Sequence, residues 1–269
     1  MGILYVVNQS LAFHQDVTQR ALRLLRQVSL VAAGHIAAAT AFLERLDIET
    51  PLIAGDATAI PAALETLDRG DVALLVAAEG VDLFSAELVR QAGARGHAVV
   101  SVPGPSMVVA ALVVSGLPTH AFLFLHYLPT RSEERRRLLA SVAAEPWTML
   151  ALVADGHLGA ALDDLSVALG DRSLAVSPVG QAGRDTWRGT VGEARAYYAE
   201  ATYTTDWLLV IGGAGGEAGR WSQERVEVEV GRLLAAGTSL RVAARQVAEA
   251  AGWRAREVYD LVVSGRFHV

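Results

Sequence analysis

The chain has 269 residues, 52% of them hydrophobic and 19% charged, which supplies ample apolar material for a packed core and excludes wholesale disorder. Its net charge of −6, with all 23 basic residues being arginine, disfavours nonspecific nucleic-acid binding, although a local basic patch stays compatible with it. The absence of cysteine removes disulfides, thiolate metal sites and cysteine nucleophiles, and leaves the redox compartment undetermined.

Residues 3–7 are a β-rich run with no basic segment before it, so the start reads as a first strand rather than a secretory signal. A cytoplasmic location is expected on that reading. Residues 16–25 place apolar positions at helical spacing behind two capping residues, Asp16 and Thr18. A second strand at 28–33, an Ala-rich helix at 37–46 and an extended segment at 51–54 follow. Residues 60–67 read as a helix, and Gly70-Asp71 turns into a buried strand at 72–77. A helix at 85–94 ends by Gly96, and a strand at 98–102 stops at Pro103-Gly104-Pro105. Strands alternating with helices of this size imply a mostly parallel sheet covered on both faces.

From His97 to Thr130 there is no Arg, Asp or Glu, which raises the question of a membrane span. The longest piece between prolines is residues 106–117, short of the roughly 20 that a spanning helix needs. A buried strand, turn and helix are expected there, with no membrane partner.

Beyond Pro118 the pattern changes. Strands at 121–125 and 148–153 flank a helix at 133–142, and a helix at 158–169 follows. Further strands at 174–176 and 207–211 enclose a helix at 191–199. The freer mixture of directions implies a second α/β domain. The last segment reads as three helices, 226–234, 239–250 and 254–263, with Gly237 and Gly252 as stops. The expected domains are therefore residues 1–118, 119–222 and 223–269.

Few residues announce chemistry. The glycine run 212–219 contains a G-x-G-x-x-A pattern, but neither an apolar helix nor a partner strand follows, so it reads as a flexible exit from the second domain. The histidines, His120 and His126 among them, lack carboxylates at ligand spacing, and no metal is expected. Ser106 lacks the glycine pattern of a hydrolase nucleophile. Ser132 reads as an N-cap for Glu133 and Glu134, and Arg135, Arg136 and Arg137 spread around a helix as a solvated face. The last two helices have helix-turn-helix rhythm. The segment from Gln223 on carries seven Arg against six acids, a near cancellation that makes a packing or dimerisation module at least as favoured as a nucleic-acid reader.

Taken together, Pro103-Gly-Pro-Ser106, Ser115-Gly-Leu-Pro118, Phe122-Leu-Phe124, Tyr127-Leu-Pro129 and Trp187-Arg-Gly-Thr-Val191 resemble elements of the tetrapyrrole methylase superfamily. Within it, the chain is most similar to the bacterial ribosomal RNA small-subunit cytidine 2′-O-methyltransferase family, and residues 233–264 resemble that family's C-terminal helical module. The resemblance implies an α/β fold of two domains, a homodimer, and S-adenosylmethionine held largely by backbone. The matching cofactor positions are Gly80, Pro103, Gly104, Pro105, Ser106, Gly189 and Thr190; no catalytic residue is assigned.

The departures fall on one class of position. The family's first loop, with its Gly-Asn, aligns with residues 8–18, where only Asp16 and Thr18 persist. Its Glu-Asp-Thr-Arg has become Gly34-His-Ile-Ala37, and its glycine-rich cofactor loop has shortened to residues 76–85. Its Phe-Tyr-Glu-Ser-Pro-His-Arg aligns with residues 151–157, and its Arg-Glu-Leu-Thr-Lys with residues 177–181, where Gln181 replaces the lysine. Apolar and turn positions match while charged ones are replaced. This implies a divergent methyltransferase with an altered acceptor; the alternative is a catalytically inactive relative that binds cofactor or protein. Whether Leu11, Phe13 and Phe84 fill the cofactor cleft would help to separate these readings.

Overall fold

Unbroken apolar runs in the central strands of the first half and 3.6-period apolar spacing in the helices between them generate the architecture directly. The structure, a computed structural model, describes residues 2–9, 16–55, 58–76, 83–180, 185–199, 204–214, 223–235 and 237–263. The chain divides into two units, Met1–Ala110 with Val179–Arg184, and Ala111–Pro178 with Asp185–Val269.

In the first unit β1 (Ile3–Asn8), α1 (Gln19–Gln27), β2 (Leu30–Ala33), α2 (Ile36–Arg45), β3 (Leu52–Ala54), α3 (Ala59–Leu67), β4 (Val72–Val76), α4 (Leu83–Ala94) and β5 (Ala98–Val102) alternate. The strands pair in parallel in the order β3-β2-β4-β1-β5. Along β4, Ala73 and Leu75 pack in one core with Ala21, Leu25, Phe42 and Leu43 of α1 and α2. Val72, Leu74 and Val76 pack in another with Ala63, Leu64, Leu67 and Leu88 of α3 and α4. Alternate side chains thus bury on opposite faces, as strand geometry requires. Of the two predicted caps, Thr18 is the one used: its hydroxyl accepts from Ala21 N–H at 3.2 Å.

Helix α5 (Met107–Ser115) leads into the second unit, which contains β6 (Phe122–Tyr127), α6 (Ser132–Ser141), β7 (Thr148–Val153), α7 (Leu158–Leu169), β8 (Ser173–Pro178), β9 (Trp187–Thr190), α8 (Val191–Tyr197) and β10 (Trp207–Ile211). The order is β6-β7-β10-β8-β9, parallel only between β6 and β7. Met149, Ala151, Val153, Val176, Leu209 and Ile211 pack against α6, α7 and α8. The strand β9 has no sequence signature; it forms because Trp187 to Thr190 completes the open edge of β8. Among the described residues, no helix is long and apolar enough to cross a membrane.

Three helices close the chain: α9 (Gln223–Ala235), α10 (Leu240–Ala251) and α11 (Ala255–Val263). They have their own core of Val226, Val230, Ala243, Val247, Ala251 and Val258. Gly252 caps α10 at φ 67° and ψ 22°, the left-handed region where a Cβ is penalised. Gly252→Ala is therefore expected to lower the local stability of α10 and α11 by about 1 kcal/mol, read as faster amide hydrogen exchange confined to those helices.

The reading of residues 132–137 needs correction. Arg131, not Ser132, is the N-cap of α6, and it makes no side-chain cap bond. Ser132 instead donates to Asp164 Oδ2 at 2.9 Å. Arg135 is not part of a solvated face: it and Asp164 are each only 2% exposed, 2.6 Å apart. An inward helix position was occupied by an arginine, and a partner 29 residues away made its burial tolerable.

Candidate functional site

Parallel sheets place ligands at the carboxyl ends of their strands, where successive loops turn apart. In the first unit these ends belong to β1, β4 and β5. Gln9 N–H donates to Val76 O at 2.8 Å, which ties the exit of β1 to the end of β4. Immediately after β5 comes Pro103-Gly104-Pro105-Ser106. A Cβ on Gly104 would lie 3.1 Å from Cβ of Asn8, so this glycine permits close approach of the turn to β1. Ser106 accepts from Val109 N–H at 3.3 Å and so caps α5. Its role as a cap rather than a nucleophile agrees with the missing elbow pattern.

Gly80 lies outside the described residues, as do Leu11, Phe13 and Gln181. Phe84 is described. A Cβ on Gly55 would lie 2.8 Å from its ring and 2.9 Å from Ala33 O, so Phe84 sits over the ends of β3 and β2. It joins the core beneath α3 and α4.

Gly189 and Thr190 lie in the second unit, at the junction of β9 and α8. Thr190 is the N-cap of a complete capping box: its hydroxyl accepts from Glu193 N–H at 3.3 Å, and its own N–H donates to Glu193 Oε2 at 2.8 Å. Asp171 accepts from Gly192 N–H at 2.7 Å. That backbone bond, with a further bond from the Thr190 hydroxyl, holds the Asp171 carboxyl below its usual value. A Cβ on Gly189 would fall 2.6 Å from Cη2 of Trp187. The Trp187 ring in turn packs against Tyr197 and Tyr198, with centroids 5.8 and 6.0 Å away. The resemblance paired Gly189 and Thr190 with the cofactor; Glu193 is legible three residues after Thr190 as the partner of a capping box, whereas Asp171, 21 residues before Gly192, is found only through the fold.

Two arginines of the second unit, Arg172 and Arg188, hold main chain. Arg172 donates to Leu169 O at 3.2 Å, to Gly212 O at 3.3 Å and to Ala143 O, and burial pushes its pKa down. Arg188 places Nε and Nη2 on Val114 O at 2.9 and 2.6 Å. The start of the glycine run is anchored too: Gly212 N–H donates to Ser173 O at 2.8 Å and Ala214 N–H to Glu145 O at 2.6 Å. Residues 215–222 lie outside the described residues.

A parallel α/β sheet with a Pro-Gly-Pro turn at its carboxyl edge, joined in sequence to a mixed sheet, defines a class that the sequence comparisons resolve. Residues 14–195 match the family described as Tetrapyrrole (Corrin/Porphyrin) Methylases, and the chain belongs to that family. A protein named Ribosomal RNA small subunit methyltransferase I from Synechocystis sp. is 34% identical over 271 residues, covering 97% of each chain. Its namesake from Halalkalibacterium halodurans is 29% identical over 272 residues, covering 97% of this chain and 94% of the other. Among solved structures, diphthine synthase superposes with a TM-score of 0.58 at 13% identity, covering 78% of this chain and 90% of its own. Uroporphyrin-III-C-methyltransferase from Thermus thermophilus gives 0.52 at 20%, covering 78% and 94%. These structural matches establish the fold, with its parallel and mixed sheets.

Proposed function

We propose that this chain transfers a methyl group from S-adenosylmethionine to an acceptor other than the one served by its ribosomal RNA methyltransferase relatives. The reading is supported by a relationship spanning 97% of both chains, which carries the methyltransferase, and its altered acceptor rests on the sequence reading that charged loop positions of the family's motifs are replaced. The spending of Arg172 and Arg188 on carbonyl oxygens supports it, since neither guanidinium is then committed to a phosphate backbone.

When bound, S-adenosylmethionine supplies an electrophilic methyl carbon on a sulfonium sulfur. The residues that would hold it in the first unit are Pro103 to Ser106. Gly104 and Ser106 are the N–H donors of that turn, because proline has none. The fit is to a group held by main chain: the turn is brought against Asn8 by the absence of a Cβ on Gly104. In the second unit, Gly189 and Thr190 form a capped β9–α8 junction rather than offering a free side chain. Orientation supplies most of what methyl transfer requires from a protein. We extend the reading to a homodimer, for which sedimentation equilibrium is the check.

The second reading, a catalytically inactive relative, is favoured by one observation: the Thr190 hydroxyl and N–H are both engaged within the fold. Calorimetry with S-adenosylmethionine and its demethylated product tests both. Binding of each ligand is expected; no heat at millimolar ligand would remove the methyltransferase reading. Tritiated-methyl transfer to small ribosomal subunits lacking the modification is the companion assay. Incorporation there would overturn the altered acceptor, and binding without transfer to any RNA, protein or small-molecule extract fraction would favour the inactive relative.

A further inference from the structure

Among the described residues, two that are not glycine hold a left-handed backbone, Asp47 at φ 50° and His126 at φ 59°. Asp47 follows the last turn of α2 and donates its N–H to Glu44 O at 3.2 Å, an ordinary place for that conformation. His126 lies inside β6, where the same conformation strains any residue that has a Cβ. The cause is a bulge. Phe124 pairs with Leu150 and Tyr127 with Leu152, so Leu125 and His126 together oppose Ala151 of β7. A bulge re-aims side chains out of the alternation of the sheet, and His126 is exposed. The surroundings hold the distortion in place: Leu128 N–H donates to Leu152 O at 2.8 Å, Tyr127 Oη donates to Asp206 Oδ2 at 2.6 Å, and Asp155 N–H donates to Asp206 Oδ1 at 2.9 Å. The imidazole meets the rings of Phe124 and Tyr127 edge-to-face, with centroids 5.7 and 5.5 Å away. Among the described residues no hydrogen bond or ion pair engages its nitrogens. The parallel pair of the second sheet is β6 and β7, and His126 stands at its carboxyl end, the edge at which parallel strands present ligands.

We propose that His126 is the base that takes the proton of a hydroxyl-bearing methyl acceptor, an inference that rests on the methyl-transfer reading. Glycine would adopt this backbone without strain, so a strained histidine at an exposed bulge is explained by what its imidazole does there. Imidazole is the side chain best suited to accept a proton near neutral pH. A dedicated base also selects the acceptor. A neutral amine attacks through a lone pair that is already free, whereas a hydroxyl is a weak nucleophile until its proton is taken. As the acceptor oxygen forms its bond to the methyl carbon, the O–H bond breaks and the proton passes to an imidazole nitrogen. The carbon–sulfur bond breaks with its electron pair, so the sulfonium departs as a neutral thioether, and the imidazolium then returns its proton to water.

Two readouts test it. In the protein without cofactor, His126→Gly is expected to keep or raise the thermal midpoint, because glycine takes the left-handed bulge freely. A midpoint lowered by more than about 4 °C would make the imidazole a structural wedge and overturn the proposal. In the second, calorimetry should give S-adenosylmethionine the same affinity for His126→Gly as for the parent, while tritiated-methyl transfer to the accepting extract fraction falls at least about 100-fold. Added imidazole should restore part of that transfer to His126→Gly. It should restore none to His126→Asn, which tolerates the backbone but offers no basic nitrogen and leaves no space. Transfer by His126→Gly at the parent rate would overturn the base and leave methyl transfer standing. So would a loss that imidazole does not relieve, a loss of cofactor binding, or a product methylated on nitrogen or carbon by mass spectrometry. A parent chain that binds no S-adenosylmethionine, or transfers no methyl group, would sink both readings together.

Discussion

Asp164→Ala is expected to destabilise the protein by about 3–5 kcal/mol, because it leaves the buried Arg135 guanidinium without its counter-charge. The carboxylate receives Arg135 Nε at 2.8 Å, Ser132 Oγ at 2.9 Å and Arg136 Nε at 2.5 Å. Arg135 additionally donates to Pro129 O at 2.9 Å, Thr130 O at 3.0 Å and Ala160 O at 3.3 Å. One side chain thereby fixes the exit of β6, the start of α6 and the middle of α7. Urea denaturation measures the loss. Arg136→Ala, whose side chain is 57% exposed, should cost less than about 1 kcal/mol. The double variant Arg135→Met/Asp164→Leu should recover most of the loss, since burial of a pair is itself expensive. A double variant as unstable as Asp164→Ala would mean that the carbonyl contacts of Arg135, rather than the ion pair, dominate.

The same carboxylate gives the pH dependence a sign. Burial alone would raise the Asp164 pKa, but hydrogen bonds from Arg136, Ser132 and Arg135 outweigh it and hold the group below its usual 3.8. A depressed folded value means that its stabilisation is fully present above the unfolded pKa and is lost as pH falls through the folded one. The stability gap between the parent chain and Asp164→Asn should accordingly be constant at neutral pH and close only in the acid limb below about pH 4. A gap that closed near neutrality would contradict this assignment.

Gly189→Ala is expected to cost about 2 kcal/mol in the protein without any cofactor, as overpacking does. The new Cβ would lie 2.6 Å from Cη2 and 2.9 Å from Cζ2 of Trp187, and 2.5 Å from Glu193 Oε2. Glu193 can swing away, but doing so opens the capping box that starts α8. Trp187 is less free, because Tyr197 and Tyr198 pack against it and Tyr198 meets Trp207 edge-to-face at 5.3 Å. Thermal unfolding of the apo protein is the measurement. An unchanged midpoint would mean that Gly189 is glycine only for the sake of a ligand, and would return this residue to the cofactor site alone.

Periodicity made most of the fold legible before any coordinates. The unbroken apolar run of β4 and the 3.6-residue spacing of α1 and α7 are local properties, so the strands, helices and parallel first sheet could be read from neighbours in the chain. The cap at Thr18 was legible for the same reason. Strand β9 was not, because its four residues become a strand only when β8 offers an edge. The cofactor turn at Pro103 to Ser106 stood out through its prolines, and Glu193 stands at capping-box spacing from Thr190, whereas Asp171, which holds Gly192 N–H, depends on a contact 21 residues away that no spacing encodes.

Charge separates the two kinds of knowledge most sharply. Counting residues determines a net charge of −6 and a C-terminal segment of seven arginines against six acids, and by itself that sum speaks against a nucleic-acid surface. It cannot say where charges lie, because Coulomb energy depends on distance and burial rather than on totals. The tertiary structure turned Arg135 inward onto Asp164, spent Arg172 and Arg188 on carbonyl oxygens, and set Arg241, Arg245 and Arg256 around a single groove. Arginines that look alike along the chain therefore became a core ion pair, backbone clamps and the lining of a groove, according to the environment into which packing delivered each one.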